Sequence, residues 1–100
     1  MVESAGRKPG GETFIALGLT ASAATRSFWP GHFHLRYRVS VGESLDLALA
    51  VTNHGAEAFA FQEALHTYLH VGDAEAARVQ GLEGATYMDK ADGLKRKTEG

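Results

Sequence analysis

Residues 60–71, with the sequence AFQEALHTYLHV, hold the side chains best suited to chemistry, because His66, Tyr68 and His70 occupy alternate positions. Alternate residues of a β-strand point to one face, so a strand here would place two imidazoles beside a phenol. Glu63 adds a carboxylate in the same segment. An imidazole, with an ordinary pKa of about 6.5, can donate or accept a proton at neutral pH. The pattern predicts either a proton-transfer site or the solvated polar face of a strand.

A metal site is the weaker interpretation of the same histidines. His66 and His70 are four residues apart, which suits a metal pair on a helix. On a strand the two lie about 13 Å apart at 3.3 Å per residue, which is too far for one ion. We therefore expect no metal at this segment.

The elements that must position these residues follow a period of two. Apolar side chains hold the odd positions of residues 32–41, and polar or basic ones hold the even positions. The same alternation runs through residues 44–53, and Gly42 and Glu43 lie between the two runs as a turn. Matched alternation around a short turn containing glycine predicts a β-hairpin.

Further strands are predicted on both sides of this hairpin. They are residues 12–21, residues 59–66 with an extension to Gly72 and Asp73, residues 78–82 and residues 85–89. Between the first strand and the hairpin, Ser22 could cap a single helical turn that Pro30 would stop. Residues 1–11 are polar and rich in glycine, which indicates a flexible lead-in. Residues 91–100 are polar, basic and without periodicity, so they read as a solubilising tail.

The predicted class is all-β and antiparallel. One hundred residues fit one small domain or part of a larger one. Long amphipathic strands need a second layer over their apolar face, which predicts a β-sandwich. The chain starts in a loop and stops at Gly100 without a terminating element. We therefore expect residues 12–100 to be the central part of an incomplete sandwich domain.

Composition narrows the class of partner and compartment. Ten Lys and Arg against twelve Asp and Glu leave a net charge of −2, which argues against a nucleic-acid partner. No apolar run is long enough to cross a bilayer, and no signal segment opens the chain. The chain has no cysteine, which excludes disulfides and suits the reducing cytoplasm.

Two other groups of side chains have both a functional and a structural interpretation. His32, His34, Arg36 and Arg38 form a basic strand face that could meet a sugar phosphate, or could simply be solvated. Trp29 could stack on a sugar ring, but beside Phe28 and Pro30 it is more typical of a core anchor. Phe28 is expected to be a second anchor of the same connector.

Five stretches in order make the chain similar to a known family. They are SAATRSFWP (residues 22–30), FHLRYRV (33–39), LALAVTN (47–53), EALHTYL (63–69) and VQGLEGATYMDK (79–90). Together they resemble the middle of the hexose-6-phosphate mutarotases, which are the glucose-6-phosphate 1-epimerase branch of the galactose mutarotase-like superfamily. The similarity covers nearly everything from Gly11 to Gly100, and departs from the commonest signature at Leu69 and His70.

The resemblance implies an isomerase that interconverts the α and β anomers of a hexose 6-phosphate without metal or organic cofactor. It implies that His66 is the general acid on the ring oxygen, and Tyr68 is a candidate substrate contact. In the family a glutamate takes the proton from the anomeric hydroxyl. We expect that glutamate, a sugar-binding aspartate and the phosphate-binding arginines outside this chain, and Glu63 is not assigned the role of base.

Two alternatives stay open beside the enzyme. The chain could be a non-catalytic carbohydrate-binding β-sandwich module, in which His66 is only a hydrogen-bond donor. It could also be an inactive truncated fragment of an enzyme. In each case the expected partner is a small sugar phosphate, and uncovered sheet edges predict some self-association.

Overall fold

The computed structural model describes residues 1–100, in two compact units that are described separately below, Met1–Glu63 and Ala64–Gly100. The strands are β1 (Val2–Arg7), β2 (Thr13–Thr20), β3 (Phe33–Val41), β4 (Leu45–Asn53), β5 (Thr86–Asp89) and β6 (Lys95–Thr98). One α-helical turn, α1 (Ala23–Arg26), follows β2, and a 3₁₀ turn (Lys90–Asp92) follows β5. No helix of the structure is long and apolar enough to span a membrane.

A four-stranded antiparallel sheet in the order β1-β2-β3-β4 forms the first unit. The predicted hairpin is confirmed, since Val41 pairs with Leu45 and Phe33 pairs with Asn53 along its full length. The strand predicted over residues 12–21 is also confirmed as β2, which pairs with β3 from Thr13 to Thr20. The antiparallel all-β class is therefore confirmed, with the strongest alternation lying in the central strands.

The prediction of a flexible lead-in over residues 1–11 is wrong for most of that segment. Val2–Arg7 forms β1 and pairs with β2, with Arg7 opposite Thr13. The register shifts between Val2 and Ser4, which makes Glu3 the extra residue of a β-bulge. A bulge re-aims the side chain of the added residue. The polar composition hid this strand because an edge strand needs only one partner and little apolar surface.

The two faces of the sheet differ in chemistry as the alternation predicted. The odd-numbered residues of β2, β3 and β4 pair with one another and form an apolar face. Much of this face is open, because the side chains of Leu17, Leu19, Leu45 and Leu47 are 37% to 48% exposed. The even-numbered residues form the polar face, and Ala16 is fully buried there.

Helix α1 is a single capped turn, as the sequence predicted. The Ser22 hydroxyl accepts from the Thr25 amide at 3.2 Å, and the Thr25 hydroxyl accepts from the Ser22 amide at 2.8 Å. This reciprocal arrangement satisfies two amides that a helix start leaves unpaired. The turn ends at Arg26, before Pro30, and leads the chain to Trp29.

The second unit contains a two-stranded antiparallel sheet, in which β5 pairs with β6 from Thr86–Thr98 to Asp89–Lys95. The strand predicted over residues 85–89 is confirmed as β5. The reading of residues 91–100 as an unstructured tail is wrong, because Lys95–Thr98 forms β6. Gly93 and Leu94 both adopt positive φ, at 62° and 61°, where the chain reverses between the strands.

The strands predicted over residues 59–66 and 78–82 are absent. No strand or helix occurs between Asn53 and Thr86. A strand requires a neighbour to accept its backbone hydrogen bonds, and no segment of the chain pairs with residues 59–82. Alternation of apolar and polar side chains was therefore an insufficient signal there.

Candidate functional site

His66 lies in a segment that is neither helix nor strand, and its side chain is exposed. None of the hydrogen bonds or ion pairs of the structure involves the imidazole. Tyr68 is 93% exposed and Leu69 is 68% exposed, so both polar and apolar neighbours face solvent. The predicted strand parity, with His66 and Tyr68 on a polar face and Leu65 and Leu69 on the other, therefore does not apply.

The four polar residues singled out by the sequence are divided between the two units. Glu63 belongs to the first unit, whereas His66, Tyr68 and His70 belong to the second. The His66 side chain is accessible, as a general acid must be in order to reach a substrate. None of the neighbouring residues in the chain forms a hydrogen bond or ion pair that would orient the His66 ring. The catalytic role of His66 and the substrate contact by Tyr68 stay predictions.

A groove of about 580 Å³ lies over one end of the apolar face of the first sheet. Its walls come from β2, β3, β4, Trp29 and residues 60–63, and Gln62 and Glu63 are its polar members. Sugar recognition depends on hydrogen bonds to hydroxyl groups, and apolar walls leave those hydroxyls unpaired. The groove is therefore better suited to packing than to holding a sugar phosphate.

Trp29 is the anchor of this end of the sheet. Its ring centroid lies 5.0 Å from that of Phe33 and 4.7 Å from that of Phe59, in an edge-on contact with the latter. Phe33 is 7% exposed, so the cluster forms the main apolar core of the unit. The interpretation of Trp29 as a core anchor is confirmed. Phe28, which the sequence suggested as a second anchor, is 93% exposed and anchors nothing.

A cluster of Glu3, His34 and Arg36, which we call the Glu3 cluster, crosses the polar face. The His34 Nε2 lies 2.7 Å from Glu3 Oε1, and the Arg36 Nε lies 3.4 Å from Glu3 Oε2. A carboxylate only accepts hydrogen bonds, so His34 donates from Nε2. The ring of His34 also stacks on His54, with centroids 6.4 Å apart.

Gly18 makes the Glu3 cluster possible. The cluster joins β1 to β3 across β2, and Gly18 is the residue of β2 that lies beneath the Glu3 side chain. A Cβ atom on Gly18 would collide with the Glu3 carboxylate. The sequence did not identify Glu3, although a lone glycine in an alternating strand is a signal of close approach.

The basic face of β3 is already occupied by groups of the chain itself. The Glu3 cluster engages His34 and Arg36, and the Arg38 guanidinium lies 4.7 Å from the centroid of the Phe14 ring. Such pairing lowers the positive charge available to a phosphate. The phosphate-binding interpretation of this face loses support, and the face is a paired, partly solvated surface.

A second charged cluster closes the β5–β6 sheet. Lys97 Nζ lies 2.7 Å from Asp89 Oδ2 and 3.1 Å from Asp92 Oδ2, and Lys95 Nζ lies 3.1 Å from Asp92 Oδ1. The Lys97 ammonium, together with the Ala91 amide, lowers the pKa of the Asp89 carboxyl below 3.8. The same contact, assisted by Asp92, raises the pKa of Lys97 above 10.5. The cluster holds the strands together and leaves no free carboxylate for a cation.

The comparison with family models matches residues 4–97 to the model described as aldose 1-epimerase. The chain belongs to the aldose 1-epimerase family. The match includes most of β1 and of β6, the two strands that the sequence patterns missed. Family membership and the antiparallel sheets together support the fold class and the family resemblance inferred from the five stretches.

Three curated relatives of the family are similar to this chain. A protein of Cenchrus ciliaris is 36% identical over 95 residues, which is 91% of this chain and 29% of the relative. Proteins of Salmonella typhimurium and Escherichia coli are 40% and 39% identical over 81 residues, each match covering 81% of this chain and 26% of the relative. All three carry the name "Putative glucose-6-phosphate 1-epimerase". No solved structure matches the chain significantly.

The share of each relative that this chain covers limits what the family match shows about its function. The chain spans little more than a quarter of the length of the curated relatives it matches. This chain contains the EALHTYL stretch with His66. No hydrogen bond or ion pair of the structure links a carboxylate to the His66 imidazole.

Proposed function

We propose that this chain supplies the general acid, His66, of an enzyme that interconverts the α and β anomers of a hexose 6-phosphate. The observation that carries the proposal is the family match over residues 4–97, together with the names of the three relatives. The exposed imidazole of His66 supports it, because a general acid must reach the substrate.

The proposed reaction involves two proton transfers. It passes no electrons to an outside acceptor. The His66 imidazolium gives its proton to the ring oxygen while a base takes the proton of the anomeric hydroxyl. The bond between the anomeric carbon and the ring oxygen breaks, and an open-chain aldehyde forms. Rotation about the adjacent carbon–carbon bond presents the other face, and the reverse proton transfers close the ring as the other anomer.

This chemistry determines which catalytic groups are assigned to this chain. Acid and base must approach the substrate from different sides, and each contributes about 10²–10⁴-fold to the rate. Glu63 is three residues from His66 and lines the apolar groove, so it is a poor base for this role. We therefore assign the acid to this chain and assign no base within it. The substrate class proposed is glucose 6-phosphate or a close analogue.

A chimera tests the proposal most directly. The 81 residues that match the Escherichia coli relative would replace the corresponding segment of that protein, and anomer exchange of glucose 6-phosphate would be followed by NMR saturation transfer. We expect exchange above the spontaneous rate, and a loss of about 10²–10⁴-fold on His66→Asn. Asn keeps similar size and polarity but has no titrating proton.

His70→Asn is the matched control, since it makes the same substitution four residues along the same segment. Its exchange rate should stay near that of the unaltered chimera. A folded chimera whose rate is insensitive to His66→Asn would overturn the role of the acid. A folded chimera that binds the sugar phosphate without exchanging its anomers would favour the carbohydrate-binding module instead.

A further inference from the structure

The side chain of Asn53, the last residue of β4, holds the turn that follows this strand. Its oxygen accepts from the Gly55 amide at 2.8 Å, and its nitrogen donates to the Glu57 carbonyl oxygen at 2.8 Å. The first contact makes the kind of turn that asparagine forms with the amide two residues ahead. The second contact extends the hold to Glu57. One side chain therefore fixes both the start and the end of this turn.

Asparagine is suited to make both contacts from this position. An aspartate in its place would accept from the Gly55 amide but has no N–H for the Glu57 carbonyl oxygen. A serine could make the turn contact through its hydroxyl oxygen, but it has no second polar atom for the other contact. The two hydrogen bonds together therefore depend on the carboxamide group of Asn53.

Two further contacts join this part of the chain to the sheet. The His54 amide donates to the His32 carbonyl oxygen at 2.9 Å, just before β3. Further along, the Phe59 ring packs edge-on against Trp29, with centroids 4.7 Å apart. A ring contact fixes one side chain but not the direction of the backbone that approaches it. The path from β4 to Phe59 is therefore set by Asn53 and by the His54 amide.

The segment that this turn directs leads to His66. Residues 60–63 continue from Phe59 and line the apolar groove of the first sheet. His66 follows Glu63 by three residues. Three residues of extended chain reach about 11 Å at most. The covalent chain therefore limits the position of His66 according to the path of residues 54–63.

We propose that Asn53 is a positioning residue for anomer exchange, because the turn that it fixes sets the place from which the segment with His66 departs. This role rests on the proposed function, in which His66 is the general acid, and it gives Asn53 no contact with the substrate. Misplacement of a catalytic group by about 1 Å can lower a rate roughly 10²-fold. A side chain distant from the reaction can therefore control its rate.

Kinetics of the chimera with the Escherichia coli relative test this role. Asn53→Ser keeps an acceptor for the Gly55 amide and removes the contact with the Glu57 carbonyl oxygen. We expect the maximal exchange rate of glucose 6-phosphate to fall about 10-fold, because the acid is misplaced. KM should be nearly unchanged, because the substrate contacts remain.

Thr52→Ser is the matched control, since it alters the preceding residue of β4. The Thr52 side chain makes none of the hydrogen bonds of the structure, so this variant should keep the original rate. Asn53→Asp, which has nearly the shape of asparagine and lacks the same donor, is measured in parallel. It keeps the test decisive where Asn53→Ser does not fold.

A second background separates positioning from general stability. In a chimera that carries His66→Asn, Asn53→Ser should cause no further loss, because a residue that acts through His66 then has no acid to position. Circular dichroism would give the folded fraction of each variant, and rates would be expressed per folded protein.

The outcomes distinguish this role from the proposed function. A loss that is confined to chimeras with His66 and absent from Thr52→Ser supports the positioning role. No loss on either Asn53 substitution, equal losses with and without His66, or a rise in KM at an unchanged maximal rate would overturn it and leave the proposed function intact. A chimera insensitive to His66→Asn overturns the proposed function, and the positioning role with it.

Discussion

Gly18 leaves the space that the Glu3 side chain occupies in the Glu3 cluster. We expect Gly18→Ala to displace the Glu3 side chain and break its contacts with His34 and Arg36. In a Glu3→Ala background the same substitution should be neutral or mildly stabilising, because the obstruction is gone. Urea unfolding of the two single variants and the double variant should give a coupling of about 1 kcal/mol.

Gly10 provides the control for this cycle. A Cβ atom there meets nothing within 4 Å, so Gly10→Ala should not couple to Glu3→Ala. Costs of Gly18→Ala that are the same with and without Glu3 would contradict the steric explanation.

The Asp89–Lys97 pair predicts a specific pH dependence. The folded pKa of Asp89 is below its ordinary value of 3.8, so its stabilising contribution is present above 3.8 and is lost as pH falls through the folded pKa. The folded pKa of Lys97 is above 10.5, so its contribution is present below 10.5 and is lost as pH rises through the folded pKa. The β5–β6 sheet should be most stable between these limits.

Replacing the lysine tests the cause of the Asp89 shift. Lys97→Met should raise the pKa of Asp89 toward 3.8, although the Ala91 amide still favours the carboxylate. NMR titration of the carboxyl carbon measures this. Lys95→Met is the matched control, because Lys95 contacts Asp92 and not Asp89. Equal effects of the two substitutions would show that general charge, not the direct contact, sets the pKa.

The reversal between β5 and β6 contains a strained element. Leu94 has φ 61° and is 57% exposed. A residue with a side chain is unfavourable in this left-handed backbone conformation, and the exposed side chain adds little packing. We expect Leu94→Gly to stabilise this sheet by about 0.5–1 kcal/mol, after the larger chain entropy of glycine is deducted. Slower hydrogen exchange of the β5 amides would report the gain.

Leu82→Gly is the comparison for that element. Leu82 is 52% exposed and has negative φ, so glycine there relieves no strain. Faster exchange at β5 in Leu94→Gly would show that the side chain of Leu94 contributes packing that outweighs the strain.

The long strands of the first sheet were predicted correctly because their neighbours share the same alternation. β2, β3 and β4 alternate in step, so each strand supplies a matching face to the next. β1 and β6 were missed because pairing with one neighbour suffices for a short strand, even a polar or charged one. Residues 59–66 alternate well but have no partner, and the periodicity of one segment cannot reveal that.

Under the proposed function, these 100 residues supply the acid of the catalytic pair and not the base. We expect the isolated 100-residue chain to leave the α-to-β conversion of glucose 6-phosphate at its spontaneous rate, since an acid without its base cannot act in concert. Polarimetry of the chain, with a buffer blank and the full-length Escherichia coli relative as positive control, measures this. Turnover above the blank that disappears on His66→Asn would show that the base lies within these residues.

For the molecule as a whole, the sequence predicted the family but not the surroundings of the candidate site residues. Five ordered stretches resembled the hexose-6-phosphate mutarotases, and the match of residues 4–97 to the aldose 1-epimerase model and the names of the three relatives support that resemblance. The surroundings of His66 were not predictable, because the alternation of one segment does not show whether that segment has a strand to pair with. The Glu3 cluster was likewise hidden, since it depends on a bulge that shifts one side chain over a glycine.

The packing of Trp29 between Phe33 and Phe59 has a practical consequence for measurement. Trp29 is the only indole in the chain, and it lies wholly within the first unit. Its fluorescence therefore reports the loosening of that unit alone. The amides of β5 and β6 report the second unit. Emission and hydrogen exchange, recorded on the same sample, would show whether the two halves melt together or in separate steps.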